Sequence, residues 1–412
     1  MALNNITFIK QNGGMARVAA SEDPISGLIL GLNGAISGGD VFGKFDTIAV
    51  GEATLYVAIL KYVEQLETLD ICPTDYSVDM TDEAKALNFI HYHASEFFKY
   101  SPSGTLYLAI KLQGEVSKEE IVALQNYTNG KIRQMGIAAA GDDNITAEQI
   151  TEYQTAATTL EAEHMPLSIL VALRQGSLAS IDDLLTMNFS AEKLPNVSIF
   201  ASQDLDGTLQ AKHNVAKLHQ VAAIGTLLGC VSAASVHESV AWVEKFPLKV
   251  SMPGFVTGDL LKEVSAANLN LLNDENRMIF YRQHVGVSDV YFNDSHTLDV
   301  PTSDYAYIEN VRTMDKAVRG IRTNLLPYLG APLKVDADTG CLGADTIALL
   351  ETVAMRALED MERAGELSGY VVSIDPEQNV LSTSKVEIII KNVPLGVMRS
   401  VTVKIGFTNK TK

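Results

Sequence analysis

The segment Gly38-Gly-Asp-Val-Phe-Gly43-Lys44 has the spacing of a phosphate-binding loop, in which backbone N–H groups cradle phosphate oxygens and the lysine reaches the outer phosphates. Phe45 stands where that chemistry needs a Ser or Thr hydroxyl for Mg²⁺, and Asp46-Thr-Ile-Ala-Val-Gly51 does not open a helix. A flexible glycine-rich loop is the preferred reading. Asp204-Leu-Asp206-Gly207 and Asp336-Ala-Asp338-Thr-Gly340 resemble the start of calcium loops. Their twelfth positions are Val215 and Ile347, neither of which can supply the bidentate carboxylate, so both read as turns. His91 and His93 lie two apart on a helix and face different directions, which makes them poor co-ligands. The other histidines (164, 213, 219, 237, 284 and 296) form no close cluster, and neither a nucleophile elbow nor a Cys-His pairing stands out. The residues predict no catalytic centre, no cofactor and no metal site.

The elements that would have to position any such chemistry describe a different kind of molecule. From Gly27 the chain alternates strand and helix. Strands are expected at Leu28–Leu30, Leu106–Leu112, Ile132–Ala139, Leu167–Leu173 and Val197–Ala201. Helices are expected at Glu52–Leu69, Thr81–Phe98, Ser117–Tyr127, Thr146–Glu163 and Ile181–Met187. Ser117-Lys-Glu-Glu120 has the form of a capping box. This order implies an α/β domain with a mostly parallel sheet covered on both faces. A long helix rich in Ala and Gly, about Leu209–Ser232, should allow close helix packing. A helix over Asp259–Leu272 then leads to strand material at Met278–Tyr281 and Val290–Phe292.

Beyond a boundary near Val300-Pro301 the composition changes to an α+β pattern. Tyr307–Arg322 carries an apolar stripe of Ile308, Val311, Met314 or Asp315, Val318 and Ile321. A second helix follows Asp345 as its cap, with Ile347, Leu350, Val353, Ala354, Ala357, Leu358 and Met361 inward and Gly365 ending it. Tyr370–Ile374 and Val386–Lys391 are strands joined through the turn Asp375-Pro-Glu-Gln-Asn379. Val401–Phe407 alternates Val401, Val403, Ile405 and Phe407 against Thr402, Lys404 and Gly406, so it should bury one face against an edge in its own domain or on a neighbour. The opening Ile6-Thr7-Phe8-Ile9, followed by Gln11-Asn-Gly-Gly14, reads as a second short apolar strand on a flexible leash.

The 412 residues carry a formal charge of −18, from 32 basic and 50 acidic side chains. That balance disfavours nucleic acid and anionic membrane as partners. Lys385–Lys412 alone carries +5 and the first twenty residues +2, leaving −25 for the remainder. Basic, apolar ends thus flank an acidic body that they could meet on other copies. No apolar run reaches the roughly 20 residues of a membrane span, and the first residues lack the basic start and apolar core of a secretion signal. Cys72, Cys230 and Cys341 are far apart and odd in number, as expected of reduced thiols in a cytoplasmic protein.

Several stretches resemble the contractile tail sheath family. They are Leu269-Asn-Leu-Leu272, Tyr291-Phe-Asn-Asp-Ser-His-Thr297, Ser303-Asp-Tyr305, Asn310-Val-Arg312, Gly365-Glu-Leu-Ser-Gly-Tyr-Val-Val372, Val393-Pro-Leu395 and Val401-Thr-Val-Lys-Ile405. The resemblance spans about Asp259 to Thr408. It implies a structural subunit, not an enzyme, that stacks in helical rings around an inner tube in a phage tail or contractile injection particle. Such particles are assembled in the bacterial cytoplasm. The implied partners are other copies of the chain, the tube protein, and baseplate and terminator components. The resemblance also implies four segments: an N-terminal arm (1–22), an outer α/β domain (23–300), an inner domain (301–399) and a C-terminal arm (400–412). In this scheme Ile6, Thr7, Phe8 and Ile9, with Val401, Val403, Ile405 and Phe407, form strands given to other copies. The acceptor is the hairpin of Tyr370, Val372 and Ile374 with Val386, Ile388 and Ile390. The helix bearing Glu351, Arg356, Glu359 and Arg363 would face the tube. Two other readings stay open: a cytoplasmic α/β nucleotide-binding enzyme using residues 31–44, and a non-contractile ring or baseplate component using the same arms.

Overall fold

The computed structural model describes residues 22–407 except 37, 75–79, 142, 190–192, 207–219 and 338. Its centre is a seven-stranded sheet built from β1 (Ile25–Gly31), β2 (Asp46–Val50), β3 (Ala53–Leu60), β4 (Thr105–Lys111), β5 (Gln134–Ala139), β6 (Ser168–Ala172) and β7 (Val197–Phe200). The spatial order is β2-β3-β4-β1-β5-β6-β7. The five strands from β4 to β7 run parallel, and β2 and β3 form an antiparallel flap on one edge. The parallel strands are continuous apolar runs because helices cover both faces. On one face lie α1 (Asp82–Tyr100) and, later in the chain, Ile224–Ala233; on the other lie α2 (Lys118–Tyr127) and α3 (Ala147–Ala162). The short α4 (Ile181–Thr186) precedes β7, and Ile224–Ala233 is α5.

The α2 start is capped as its sequence implied, with Glu120 accepting from the Ser117 backbone N–H at 2.7 Å. The same carboxylate pairs with Lys111 on β4 at 2.5 Å, both side chains buried. Local strand β8 (Ser202–Asp204) pairs antiparallel with β9 (Pro253–Phe255), and, beyond α6 (Ala266–Asp274), β10 (Tyr281–Gln283) pairs with β11 (Val290–Phe292). The helices α7 (Ile308–Leu325) and α8 (Ala344–Arg363) then pack together and support the two-stranded sheet of β12 (Leu367–Ile374) and β13 (Ile388–Pro394). The fold is thus α/β, with an α+β unit at its C-terminal end. Among the described residues no helix is long and apolar enough to cross a membrane.

Five expectations need correction. Glu52–Leu69 is not one helix: Ala53–Leu60 is β3, turned back on β2 through Gly51, whose φ of +57° suits that tight reversal. The β-branched and aromatic residues Thr54, Tyr56, Val57 and Ile59 favour a strand, and Ile59 is exposed. Only Gln65–Thr68 is helical there. The Ala- and Gly-rich helix begins at Ile224, because Val221 pairs with Arg174 in a β-bridge; the expected span 209–219 lies outside the described residues. The Asp259–Leu272 helix shrinks to a turn at Leu261–Glu263 and α6, which Ser265 caps by accepting from the Asn268 N–H. Gly343, not Asp345, is the cap of α8; Asp345 sits in the first turn, where a carboxylate faces the positive end of the helix dipole. Val386 lies before β13, which starts at Ile388.

Candidate assembly interface

The sheet of β12 and β13 has an inward and an outward face. Tyr370, Val372, Ile374, Ile388 and Ile390 alternate inward and pack on α7 and α8, with Leu358, Met361 and Leu350 beneath them. In register, Val372 faces Ile390 and Ile374 faces Ile388. Val386 contributes to the same apolar layer from outside the strand. The other parity points away from the body: Val371 is 59 %, Ile389 48 % and Val393 54 % exposed. Since the sheet holds only these two strands, β12 and β13 each present one edge with no ladder partner among the described residues. An open apolar edge of this kind is a template for another strand.

Residues 401–407 lie outside this sheet, in no helix or strand, and pair with no strand among the described residues. Val401, Val403, Ile405 and Phe407 are all exposed, Ile405 at 95 %. Within a single copy the alternation read from the sequence therefore buries no face. The other expected strand, Ile6, Thr7, Phe8 and Ile9, lies outside the described residues. On α8, Arg356, Glu359 and Arg363 are exposed, and Arg363 pairs with Asp360 at 3.0 Å on the surface. Glu351 is turned instead toward the hairpin, where it accepts from the Ile374 N–H at 3.0 Å and fixes the end of β12.

A cluster that no sequence spacing signalled joins the arm to the body. Arg399 donates from Nε to both carboxylate oxygens of Asp294, at 3.0 and 3.1 Å, and from Nη2 to Glu309. Its guanidinium carbon lies 3.4 Å from the centre of the Tyr307 ring, a cation–π contact. Burial pushes the Glu309 carboxyl up, while Arg399 and the Ser295 hydroxyl draw it back. Burial likewise lowers His296 to about 4, so it stands neutral beside the two arginines 277 and 399. Between this cluster and Trp242 is a cavity of about 940 Å³, lined on the body by His237, Arg277 and Phe292 and on the arm side by Leu395 and Val397. The partners of Arg399 are 105 and 90 residues away; Asp294 falls in the family-like stretch Tyr291–Thr297, whereas Tyr307 and Glu309 fall in the helix read from its apolar stripe.

The glycine-rich loop has a structural use. Gly38–Lys44 passes through a 3₁₀ turn, Gly39–Phe42, directly into β2, so no helix N-terminus faces a phosphate. A Cβ at Gly39 would stand 1.9 Å from the Tyr56 hydroxyl, so a larger residue there requires the Tyr56 ring to move. Lys44 is bound to the Thr68 carbonyl at 3.0 Å and Asp70 at 2.7 Å. The described residues of 31–44 thus show no strand–loop–helix geometry of the kind a nucleotide-binding enzyme reading needs. Asp204 accepts from the backbone N–H groups of Ser251 and Met252, both at 2.9 Å, and Asp336 from that of Thr339 at 2.9 Å, so both carboxylates brace turns.

Family comparison matches residues 51–296 to the N-terminal domain of DUF2586 and residues 304–412 to its C-terminal domain. No curated protein matches the chain. Two solved structures share its fold along almost their whole length. One is a chain of the anti-feeding prophage (AFP) baseplate, six-fold symmetrised, with TM-score 0.59, 13 % identity, and coverage of 99 % of this chain and 99 % of that one. The other belongs to the PVC sheath complex of an extracellular contractile injection system in its contracted state, with TM-score 0.61, 11 % identity, and coverage of 100 % and 98 %. At these identities the likeness is one of fold.

Proposed function

The chain belongs to the DUF2586 family, and we propose that it is a structural subunit of a contractile injection particle, polymerising as the sheath around an inner tube. The observation that carries this reading is the exposed alternating apolar segment 401–407 on a chain whose β12–β13 sheet has two open edges among the described residues. Strand addition answers both: the arm of one copy hydrogen-bonds along the hairpin edge of the next, and its alternate side chains find cover. Fully burying Ile405 or Phe407 is worth about 1.5–3 kcal/mol each. Residues 6–9 supply a second strand of the same kind from another copy. The exposed residues of α8, Arg356, Glu359 and Arg363, face the tube. End-to-end likeness to subunits of a sheath complex and a baseplate supports the choice of particle.

In this reading the subunit is not an enzyme. Interface burial in a lower-energy contracted lattice supplies the work, and each step is a shift between two packings of the same rigid bodies. Baseplate and terminator components bound the polymer at its ends. A baseplate ring is the second reading, since the fold likeness to the baseplate chain is as extensive as that to the sheath chain. Negative-stain images of the purified protein separate long tubes from single rings.

The deciding experiment deletes residues 400–412 and, separately, replaces Val403 with proline, which removes a ladder donor. Both variants should give folded monomers by circular dichroism that no longer sediment as polymer. Wild-type assembly by either variant rules the arm out as the connecting strand, and unfolding assigns it to the chain's own core.

A further inference from the structure

The stretch from Leu395 to Phe407 meets the rest of the described chain through one set of hydrogen bonds, and all of them are made by Arg399. The acceptor side is also braced by hydrogen bonds within the body. Glu309, with its side chain 3 % exposed, is held by the Ser295 hydroxyl at 2.6 Å. That hydroxyl in turn accepts from Ser239 at 3.2 Å, and Asp294 is fixed by the Ser295 N–H at 2.8 Å. A buried carboxylate and a second one beside it, over an aromatic ring, form a receptacle for a planar cation. Arg399 fills it, so the five residues 395–399 form a strap from the end of β13 back to the body.

We propose that Arg399 is the positioning residue of the C-terminal arm: clamped by Asp294 and Glu309 over Tyr307, it fixes where and in which direction residues 400–407 leave the body for a second copy. This rests on the assembly reading above and deepens it. Without the clamp the tether would start at Pro394, five residues earlier, and the strand would sample a larger volume. Its effective concentration at a neighbour's hairpin edge falls with tether length and with lost orientation. Lysine is a poor substitute, because it carries the charge without the fork or the stacking plane.

The test reads the strap on the monomer and assembly on the polymer. A nitroxide is placed at Met398→Cys in a chain with Cys72→Ser and Cys341→Ser, and room-temperature spectra are compared for Arg399, R399K and R399Q. The label should be immobilised in the first, intermediate in the second and mobile in the third. In unlabelled protein R399Q should raise the critical concentration for assembly by about threefold or more, with R399K between. Should R399Q fail to fold because Glu309 is left buried without its cation, the pair E309Q/R399Q takes its place. An immobile label in R399Q overturns the clamp. A mobile label with unchanged critical concentration overturns the positioning role alone. A wild-type chain that never assembles while its label is immobile overturns the polymer reading, and the positioning role with it.

Discussion

The ammonium of Lys316 on α7 stands 2.5 Å from the carboxylate of Glu366, the residue that leads from α8 into β12. The same ammonium is 2.7 Å from Asp23, just before β1. One side chain thus ties the root of the hairpin to the entry of the large domain. Glu366 and Asp23 are mostly buried, at 8 % and 16 % side-chain exposure.

Replacing Lys316 with methionine should keep the packing of its stem and take the ammonium away from two carboxylates, of which Asp23 keeps Arg319 at 4.0 Å. Removing one partner of a buried pair is far costlier than losing an exposed one, but Lys316 is itself partly solvated. The expected loss is about 1–3 kcal/mol. It appears as a lower urea midpoint with an unchanged slope. An unchanged midpoint means that solvent already screens the pair.

The outward face of the hairpin offers a separate test. Ile389→Glu alters a half-exposed position, so the monomer's stability should move by no more than about 0.5 kcal/mol. If that face is covered in the polymer, assembly must bury a charge and should be lost in a sedimentation assay. Normal assembly would confine the contact between copies to the strand edges.

His93 makes the body sensitive to acid. It is fully buried on α1 among Phe89 and Tyr92, and neither ring nitrogen has a hydrogen-bond partner among the described residues. Burial lowers its pKa from 6.5 to about 3. Between those values the unfolded chain takes a proton that the folded chain refuses, so stability falls as pH falls. The linkage amounts to about 1.4 kcal/mol per pH unit, or roughly 2 kcal/mol from pH 6.5 to 5. His296, lowered to about 4, should add a similar slope. In His93→Leu the pH dependence of urea unfolding should flatten by one proton over this range. A slope identical to the wild type would place the acid-sensitive group elsewhere.

These groups show what a sequence carries and what it hides. The parallel strands were legible because Leu28-Ile-Leu30 and its neighbours are short apolar runs bounded by helices. Tyr370–Ile374 was legible as strand material, but that Tyr370, Val372 and Ile374 face inward is shown only by their packing on α7 and α8. Leu55, Ile59, Tyr62 and Val63 also fit a helical spacing, and only the hairpin with β2 shows why the strand wins. Arg399 could not be distinguished from Lys391 or Lys404 by composition, since its meaning lies in carboxylates about a hundred residues away. The Gly-rich helix was read correctly as a close-packing device, but its start depended on the bridge between Arg174 and Val221, which no local pattern announces.

That close packing gives the sharpest stability test. A Cβ at Gly225 on α5 would lie 2.1 Å from the carbonyl oxygen of His93 on α1, and one at Gly229 would lie 2.6 Å from that of Phe97. Both obstacles are backbone, so no rotamer change relieves them, and α1 and α5 must separate. Helix propensity alone favours Gly→Ala by about 0.8–1 kcal/mol. Overpacking a well-filled core costs about 1–3 kcal/mol and occasionally more. The neighbours here, Tyr92, Phe97, Leu227 and Leu228, are all buried and leave little room to yield. Strain should therefore win for Gly225→Ala, with a net loss of about 1–2 kcal/mol in urea unfolding, and Gly229→Ala should lose less because its contact is longer. The arm and hairpin lie elsewhere, so at a temperature where the variant is folded its assembly should match the wild type. A gain near 1 kcal/mol, the value of propensity acting alone, would mean the two helices do not meet backbone to backbone.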